Sequence, residues 1–558
     1  MVLGLPNKLT WEWTSENPVR SVIHPILSSA IPFQLYKWWN TYFGFLTSVS
    51  PKEVLIVPRI WMGATSLLVD YLVFKFTYNL SGKKSTAWLA SCIFASSYTT
   101  WVFMTRTFSN STETLFFAAL LYLTFPKASG LTSKNDVPMG DLKFFWKNVL
   151  ISLLVVSGFF IRTSFVVFAF TPLCVWVFLN NKSFDIYEIF LKVFLLGSTA
   201  LLWLTTLILA DTLYHNPAYI PNLVDAYRSN VNLTRSLTNL TLTPLNNIMY
   251  NTDSKNLQLH GLHPSWTHFV VNFPLLFGPL ALVLTHRLVK RLRNGVADTK
   301  LLQFCLVCSL IVPLLLLSFI PHQEPRFILP LVVPLCAIAA LVYKDPSKHK
   351  LLAGAWFVFN IILFFFYGIF HQGGVVPSCG GVNLVIKQHR NPYSTQLPRN
   401  CNLTFIYYHT YTPPPHLCDV TTIDPYPLSR ACSYEVVDLA GADYVTLERT
   451  VRSALKAKSQ VYVIHPASIA CDDVTRLHER FRTRLKFDFF PHFSSEDPPW
   501  RDDENCELDR GGGETSFLEN ALALMSLQFY RIDEVRTKKA GEDNMLKIAT
   551  KWHFTEEM

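Results

Sequence analysis

Charge is what this 558-residue chain has little of: Asp, Glu, Lys and Arg make up 16% of it, against about 25% in soluble domains. With half the residues apolar, 43 Phe and 14 Trp, disorder and a coiled coil are excluded, and 22 Gly are too few for collagen. Lipid is therefore the solvent expected for much of the chain. A basic stripe interleaved with exposed aromatics is missing too, which argues against a nucleic-acid partner. Up to His371 there are 28 Lys and Arg against 15 Asp and Glu, but the cations sit in short loops between apolar runs; from Gln372 onward the counts are 21 and 25. Absent as well are a dinucleotide-binding glycine fingerprint, an Asp-x-Asp ligand pair, and the paired Gly/Pro-broken halves expected of a transporter.

What is present is a series of ten apolar runs, near 60–80, 87–104, 113–125, 148–162, 165–179, 189–210, 269–285, 301–320, 327–343 and 351–371. A bilayer core needs about 20 apolar residues per helix, so the third to fifth are short and one pair could form a re-entrant hairpin. Three parts follow: a first-loop segment over 1–58, a multispanning region over 59–371, and a tail over 372–558. Alternate loops collect Lys83 and Lys84, then Lys127 to Lys147, Lys182, Arg287 to Lys300, and Lys344 to Lys350. By the positive-inside rule that side is cytosolic. The N-terminal segment, the turn after Arg106, the loop from Asp211 to His268, the turn from His322 to Arg326 and the tail share the other side. Sequons at Asn110, Asn232, Asn239 and Asn402 fall there too, whereas Asn79 and Asn181 fall at cytosolic helix ends.

The tail is expected to be a separate α/β unit facing the lumen, with strands at Leu403–Tyr408 and Val461–His465 and a helix at Val451–Lys458. Glu496–Glu514 is an acidic loop. Six of the eleven cysteines lie in the tail, enough for three disulfides in an oxidising compartment, with connectivity undetermined by sequence. Cys305-Leu-Val-Cys308 sits inside an apolar run without companion ligands, and reads as two small core residues rather than a metal or redox pair.

Polar side chains gathered at one end of helices that need none are functional candidates because their desolvation is costly. Four clusters stand out. Thr10-Trp11-Glu12-Trp13 with Arg20-Ser21 and His24 could stack on and grip a sugar, or could be an interfacial aromatic belt. Arg106-Thr-Phe-Ser-Asn110-Ser-Thr-Glu113 opens a helix, which capping explains in part, though not Arg106. Asn246 and Asn247 lead to His260, His263 and His268, which lack an acidic companion and suit hydroxyl recognition better than metal. His322-Gln323-Glu324-Pro325-Arg326 offers a guanidinium fork to phosphate, or a Glu324–Arg326 pair that closes a turn. Within the spans, Asp70, Arg162 and Lys192 require partners.

Taken together, Thr10-Trp-Glu-Trp with Arg20-Ser21, Arg59 with Ser66 and Asp70, Arg106-Thr-Phe-Ser-Asn-Ser-Thr-Glu-Thr and His322-Gln-Glu-Pro-Arg-Phe-Ile-Leu-Pro resemble the polytopic α-helical GT-C mannosyltransferases of glycosyltransferase family 22. That family draws mannose from dolichyl-phosphate mannose in the endoplasmic reticulum membrane. Leu242-Thr-Pro-Leu-Asn-Asn, Leu259-His-Gly-Leu-His-Pro and His409-Thr-Tyr-Thr-Pro-Pro look most like its glycosylphosphatidylinositol (GPI) branch, at the fourth-mannose step. The third-mannose GPI and N-glycan-precursor enzymes are close rivals.

The resemblance implies inverting transfer to a mannose 2-hydroxyl of a GPI precursor, with no cofactor and no chelating metal. It puts Arg326, with His322 and Arg106, at the donor phosphate. Trp11, Trp13, Arg20, Asn110, Glu113, Asn246, His260, His263, Gln323 and Glu324 are then candidates for substrate binding. Family members open with a first transmembrane helix and a lumenal Asp-Glu pair that supplies the base. The chain is expected to start beyond that point, as a truncated or impaired form, which leaves Glu12 as the nearest first-loop carboxylate and a better acceptor-binding group than a base.

Overall fold

The computed structural model describes residues 9–44, 51–127, 142–179, 186–222, 224, 240–259, 261–282, 301–343, 345–390, 401–418, 432–469, 471–495, 497–498 and 524–535. Outside them fall His260, the sequons at Asn181, Asn232 and Asn239, the cations from Arg287 to Lys300, and nearly all of the acidic run. The chain divides into two compact units, one of residues up to Ile369 and one from Phe370 onward.

The first unit is helical. An initial turn at Trp11–Thr14 and a helix α1 (Ile31–Phe43) precede α2 (Pro51–Ser81), α3 (Lys84–Ala95), α4 (Tyr98–Val102), α5 (Ser109–Thr124), α6 (Leu142–Ile161), α7 (Phe165–Cys174) and α8 (Ile186–His215). Then come α9 (Thr243–Thr252), α10 (His268–Leu282), α11 (Leu301–Ser318), a 3-10 segment Pro325–Leu331 running into α12 (Val332–Tyr343), and α13 (Lys350–Phe365). Within the described residues all ten apolar runs are helical. Among those residues, six helices are long and apolar enough to cross a membrane, beginning at Lys52, Leu142, Ile186, Leu301, Pro325 and Ser347. The other four runs are shorter or interrupted helices. The chain is thus a multi-pass α-helical membrane protein, whose buried centre is built by α12, α5, α7 and the inner faces of α2, α3 and α11. Leu201, Leu202 and Ile186 of α8 stay exposed, as apolar side chains facing lipid should.

The second run is the one that breaks, at Ser96–Ser97, and the break is chemically closed. A chain leaving the helical path inside a bilayer frees backbone donors that water cannot reach. Here Asn360 of α13 accepts the Tyr98 amide at 2.7 Å, and Ser97 Oγ accepts that of Thr99 at 3.3 Å. Trp356 donates to Ser96 Oγ at 3.0 Å. Helix α1 was not expected, since the segment reads as a loop too polar to span; it continues the helical path that begins at Ile23, and Gly44 in the left-handed region (φ 68°) ends it.

The second unit is an α/β sheet of order β2-β1-β3-β5-β4. Its strands are β1 (Cys401–Tyr407), β2 (Cys432–Asp438), β3 (Gln460–Pro466), β4 (Phe481–Phe489) and β5 (Leu527–Val535). The first three run parallel, with β1 central, while β5 pairs antiparallel to both β3 and β4. Helices α14 (Val375–Arg390), α15 (Tyr444–Lys456) and α16 (Cys471–Arg480) complete it. β3, with six of its seven residues buried, is the strand expected at Val461–His465. Cys379 and Cys418 form a disulfide that ties α14 to the segment after β1, and Cys432 is disulfide-bonded as well. Cys305 and Cys308 are free thiols.

Candidate active site

The segments that the loop arithmetic assigns to one side of the membrane bond to one another. The first loop, Leu9 to Ile26, is threaded against the ends of α5, α8 and α9. Asp211, on the last turns of α8 and fully buried, accepts from Ser21 Oγ at 2.9 Å, the Val22 amide at 3.0 Å and Thr243 Oγ1 at 2.5 Å. One turn later His215 Nε2 donates to the Arg20 carbonyl at 3.1 Å, and its ring stacks on Trp13 at 5.7 Å. Asn246 donates to the Pro18 carbonyl at 3.0 Å, and Trp11 lies 4.8 Å from the Tyr250 ring. Trp11 nevertheless keeps 47% of its surface exposed. Arg20 closes this wall with an ion pair to Glu12 at 2.7 Å.

The facing wall comes from the Arg106–Glu113 segment and the short turn between α6 and α7. His24 Nε2 donates to the Thr107 carbonyl at 3.0 Å, while Nδ1 accepts from Thr112 Oγ1 at 3.2 Å. Burial, helped by the charges of Arg20 and Arg162, lowers the pKa of His24 to about 4, so the ring is neutral and these two bonds select its tautomer. Beneath it Arg162 pairs with Glu113 at 3.2 Å, donates to Ser109 Oγ at 3.2 Å and lies 4.9 Å from the ring of Phe327. Ser164 donates to the other oxygen of Glu113 at 2.9 Å. Glu113 is fully buried and Asn110 nearly so, which makes both foundations of this wall. Arg106 directs its guanidinium to the Tyr367 carbonyl at 3.0 Å.

The turn after α11 supplies the third side. Glu324 receives Arg326 through both Nε and Nη2, and His322 Nε2 at 3.0 Å. His322 Nδ1 meets the Gly261 carbonyl at 3.1 Å, so both ring nitrogens face acceptors, a pattern only the imidazolium satisfies fully. The hydrogen bond to Glu324 accordingly raises the pKa of His322 above its usual 6.5. Burial works against the Glu324 carboxylate, but His322 and Arg326 outweigh it and hold its pKa down at about 2. Arg326 lies 5.6 Å from the ring of Phe108 and remains 40% exposed. Gln323 is a strut: its amide donates to Ser318 and Ile320 and accepts from the His268 backbone. His263 accepts from the Gln323 amide at 3.3 Å and lies 5.9 Å from the His322 ring. His24 ties the first loop to Thr107 and Thr112, and Arg162 and Arg326 reach across to the rings of Phe327 and Phe108, so the three walls meet.

Of the residues singled out by sequence, Trp11, Glu12, Trp13, Arg20, Asn246, Glu113, Glu324 and Arg326 therefore lie on connected walls, while Asn110, Gln323 and His263 serve as supports. His24, placed in the first cluster by sequence, bridges two walls; missed were Arg162 as the partner of Glu113, Asp211, and His215 as a bridge. Arg162 carried a signal, a lone cation ending an apolar run; Asp211 carried none beyond its position where hydropathy falls.

Residues 1–414 match the model of the Alg9-like mannosyltransferase family. The chain belongs to that family. It is 32% identical to GPI mannosyltransferase 4 of Emericella nidulans, over 74% of this chain and 69% of that one. It is 29% identical to GPI alpha-1,2-mannosyltransferase 4 of Homo sapiens, over 92% and 88%. Among solved structures it is similar to ArnT from Cupriavidus metallidurans in the apo state, with a TM-score of 0.47 and 10% identity, covering 84% of this chain and 86% of that one. Membership makes the chain a membrane glycosyltransferase.

Proposed function

We propose that this chain is the α1,2-mannosyltransferase that adds the fourth mannose in GPI assembly. It works in the endoplasmic reticulum membrane with its polar face lumenal, drawing on dolichyl-phosphate mannose. The naming of its relatives after this step supports the acceptor, and the loop charges and sequons support the orientation. The observation that carries the reading is the Glu324-anchored pair of cations, Arg326 and His322, presented beside an aromatic-lined wall.

The chemistry follows from charge. As the acceptor 2-hydroxyl attacks the anomeric carbon and passes its proton to a general base, the bond to the phosphate oxygen breaks and dolichyl phosphate leaves with a developing second negative charge. A fixed guanidinium and an imidazolium stabilise that charge without reorganising. Arg326 Nη2 is hydrogen-bonded to Glu324 and Nε lies in ion-pair contact with it, while the rest of the fork can meet phosphate oxygens. Trp11 and Tyr250 offer faces to the acceptor sugar, and Arg20 and Glu12 offer its hydroxyls charged partners. Glu12, engaged by Arg20, fits acceptor binding better than proton removal.

The test is direct. Microsomes carrying the chain, given labelled dolichyl-phosphate mannose and a three-mannose GPI precursor, should release a four-mannose product. Extension of some other acceptor in its place refutes the assignment.

A further inference from the structure

Asp211 is a fully buried carboxylate of the polar face to which the transfer scheme gives no part, and its surroundings are unusual. It sits in the last turns of α8, where the helix dipole disfavours an anion. All three groups bonded to it are donors: the hydroxyls of Ser21 and Thr243 and the amide of Val22. A carboxylate suits that set because it only accepts, whereas an amide would turn an N–H toward one of them. The donors belong to two segments far apart in sequence, the first loop and the start of α9. The neighbours of Asp211 on α8 repeat the pattern: Thr212 Oγ1 accepts the Thr241 amide at 3.0 Å, and His215 holds the Arg20 carbonyl. The same two segments also form the Asn246–Pro18 bond and the Trp11–Tyr250 contact.

We propose that Asp211 is a positioning residue for the acceptor: it locks the first loop to α9, and so fixes the wall of Trp11, Trp13, Arg20 and Tyr250 that the sugar meets. This rests on the proposed mannose transfer. It predicts a selective defect, because the Arg326–Glu324–His322 turn shares none of these bonds and the donor site should be untouched.

The experiment varies the two substrates independently in microsomes. Asp211→Ala is expected to raise the acceptor KM by about tenfold or more while the donor KM stays within about twofold. Asp211→Asn should recover most of the loss, since Thr243 can reverse its hydroxyl and accept from the new amide. Thr243→Val, a milder cut at the same anchor, should give a smaller rise of the same kind, and it supplies the test if the alanine variant fails to accumulate. Hydrogen exchange should quicken over 9–24 and 241–250 in the alanine variant and stay unchanged in α12. Quickened exchange with an unaltered acceptor KM, or donor and acceptor parameters falling together, overturns the proposal. If the unmodified chain extends a different acceptor, the functional assignment fails, and the same KM comparison with that acceptor judges Asp211 separately.

Discussion

Replacing Arg326 separates two roles that its geometry allows. The guanidinium is bound at both Nε and Nη2 by Glu324, so it could exist only to close the turn, or it could be held there in order to face a phosphate. A charge-assisted hydrogen bond contributes about 1.5–3 kcal/mol, so losing two of them to a transition-state phosphate predicts a drop in kcat/KM of roughly a hundredfold to ten-thousandfold for Arg326→Ala. Arg326→Lys keeps the charge but cannot both hold Glu324 and present a fork, and it should retain an intermediate activity. The informative variant is Arg326→Ala combined with Glu324→Gln. If Arg326 merely neutralises Glu324, removing both charges relieves a carboxylate left with His322 alone, and activity returns. If it grips phosphate, the double variant stays as inactive as the single one. Transfer of label from dolichyl-phosphate mannose in microsomes, normalised to protein level, gives the answer. Single-variant activity within about twofold of the parent, or recovery in the double variant, refutes the phosphate role.

Three further outcomes follow from the same walls. The hydrogen bond to Glu324 raises the pKa of His322 above 6.5, so its charge is lost as pH rises through that higher folded value, donor affinity should weaken on the alkaline side, and His322→Gln should flatten that limb. An unchanged pH profile in the variant counts against it. Arg162→Met leaves Glu113 buried and unpaired, which costs on the order of 3–5 kcal/mol and should lower the thermal midpoint in detergent, with Glu113→Gln added to the variant restoring part of it. A midpoint unmoved by Arg162→Met would show that the pair is not structural. Trp11→Ala, at an exposed ring, should raise the acceptor KM while sparing the thermal midpoint; a fall in the midpoint with an unchanged KM would make the ring a packing element.

The spans were legible because each is an uninterrupted apolar run, and lipid tolerates nothing else on a helix's outer face. The interruption at Ser96–Ser97 was not, since its remedy, Asn360, lies 262 residues beyond the amide it caps. In the tail, β3 announces itself by consecutive buried apolar residues, whereas β4 carries a quieter period-two signal, with Phe481, Leu485, Phe487 and Phe489 in alternation with Arg482, Arg484, Lys486 and Asp488. Its place is set by a long antiparallel ladder to β5. The site divides along the same line. Arg326 and Glu324 are two residues apart, and so the sequence already raised both the turn-closing and the phosphate-facing readings. Glu113 and Arg162, or Ser21 and Asp211, are joined only when the start of α5 and the ends of α6 and α8 pack beside the first loop, which tertiary packing rather than any motif decides. A membrane enzyme of this design can therefore keep its polar residues scattered along the chain, because the packing of its helices brings their ends, and whatever chemistry the ends carry, to one face.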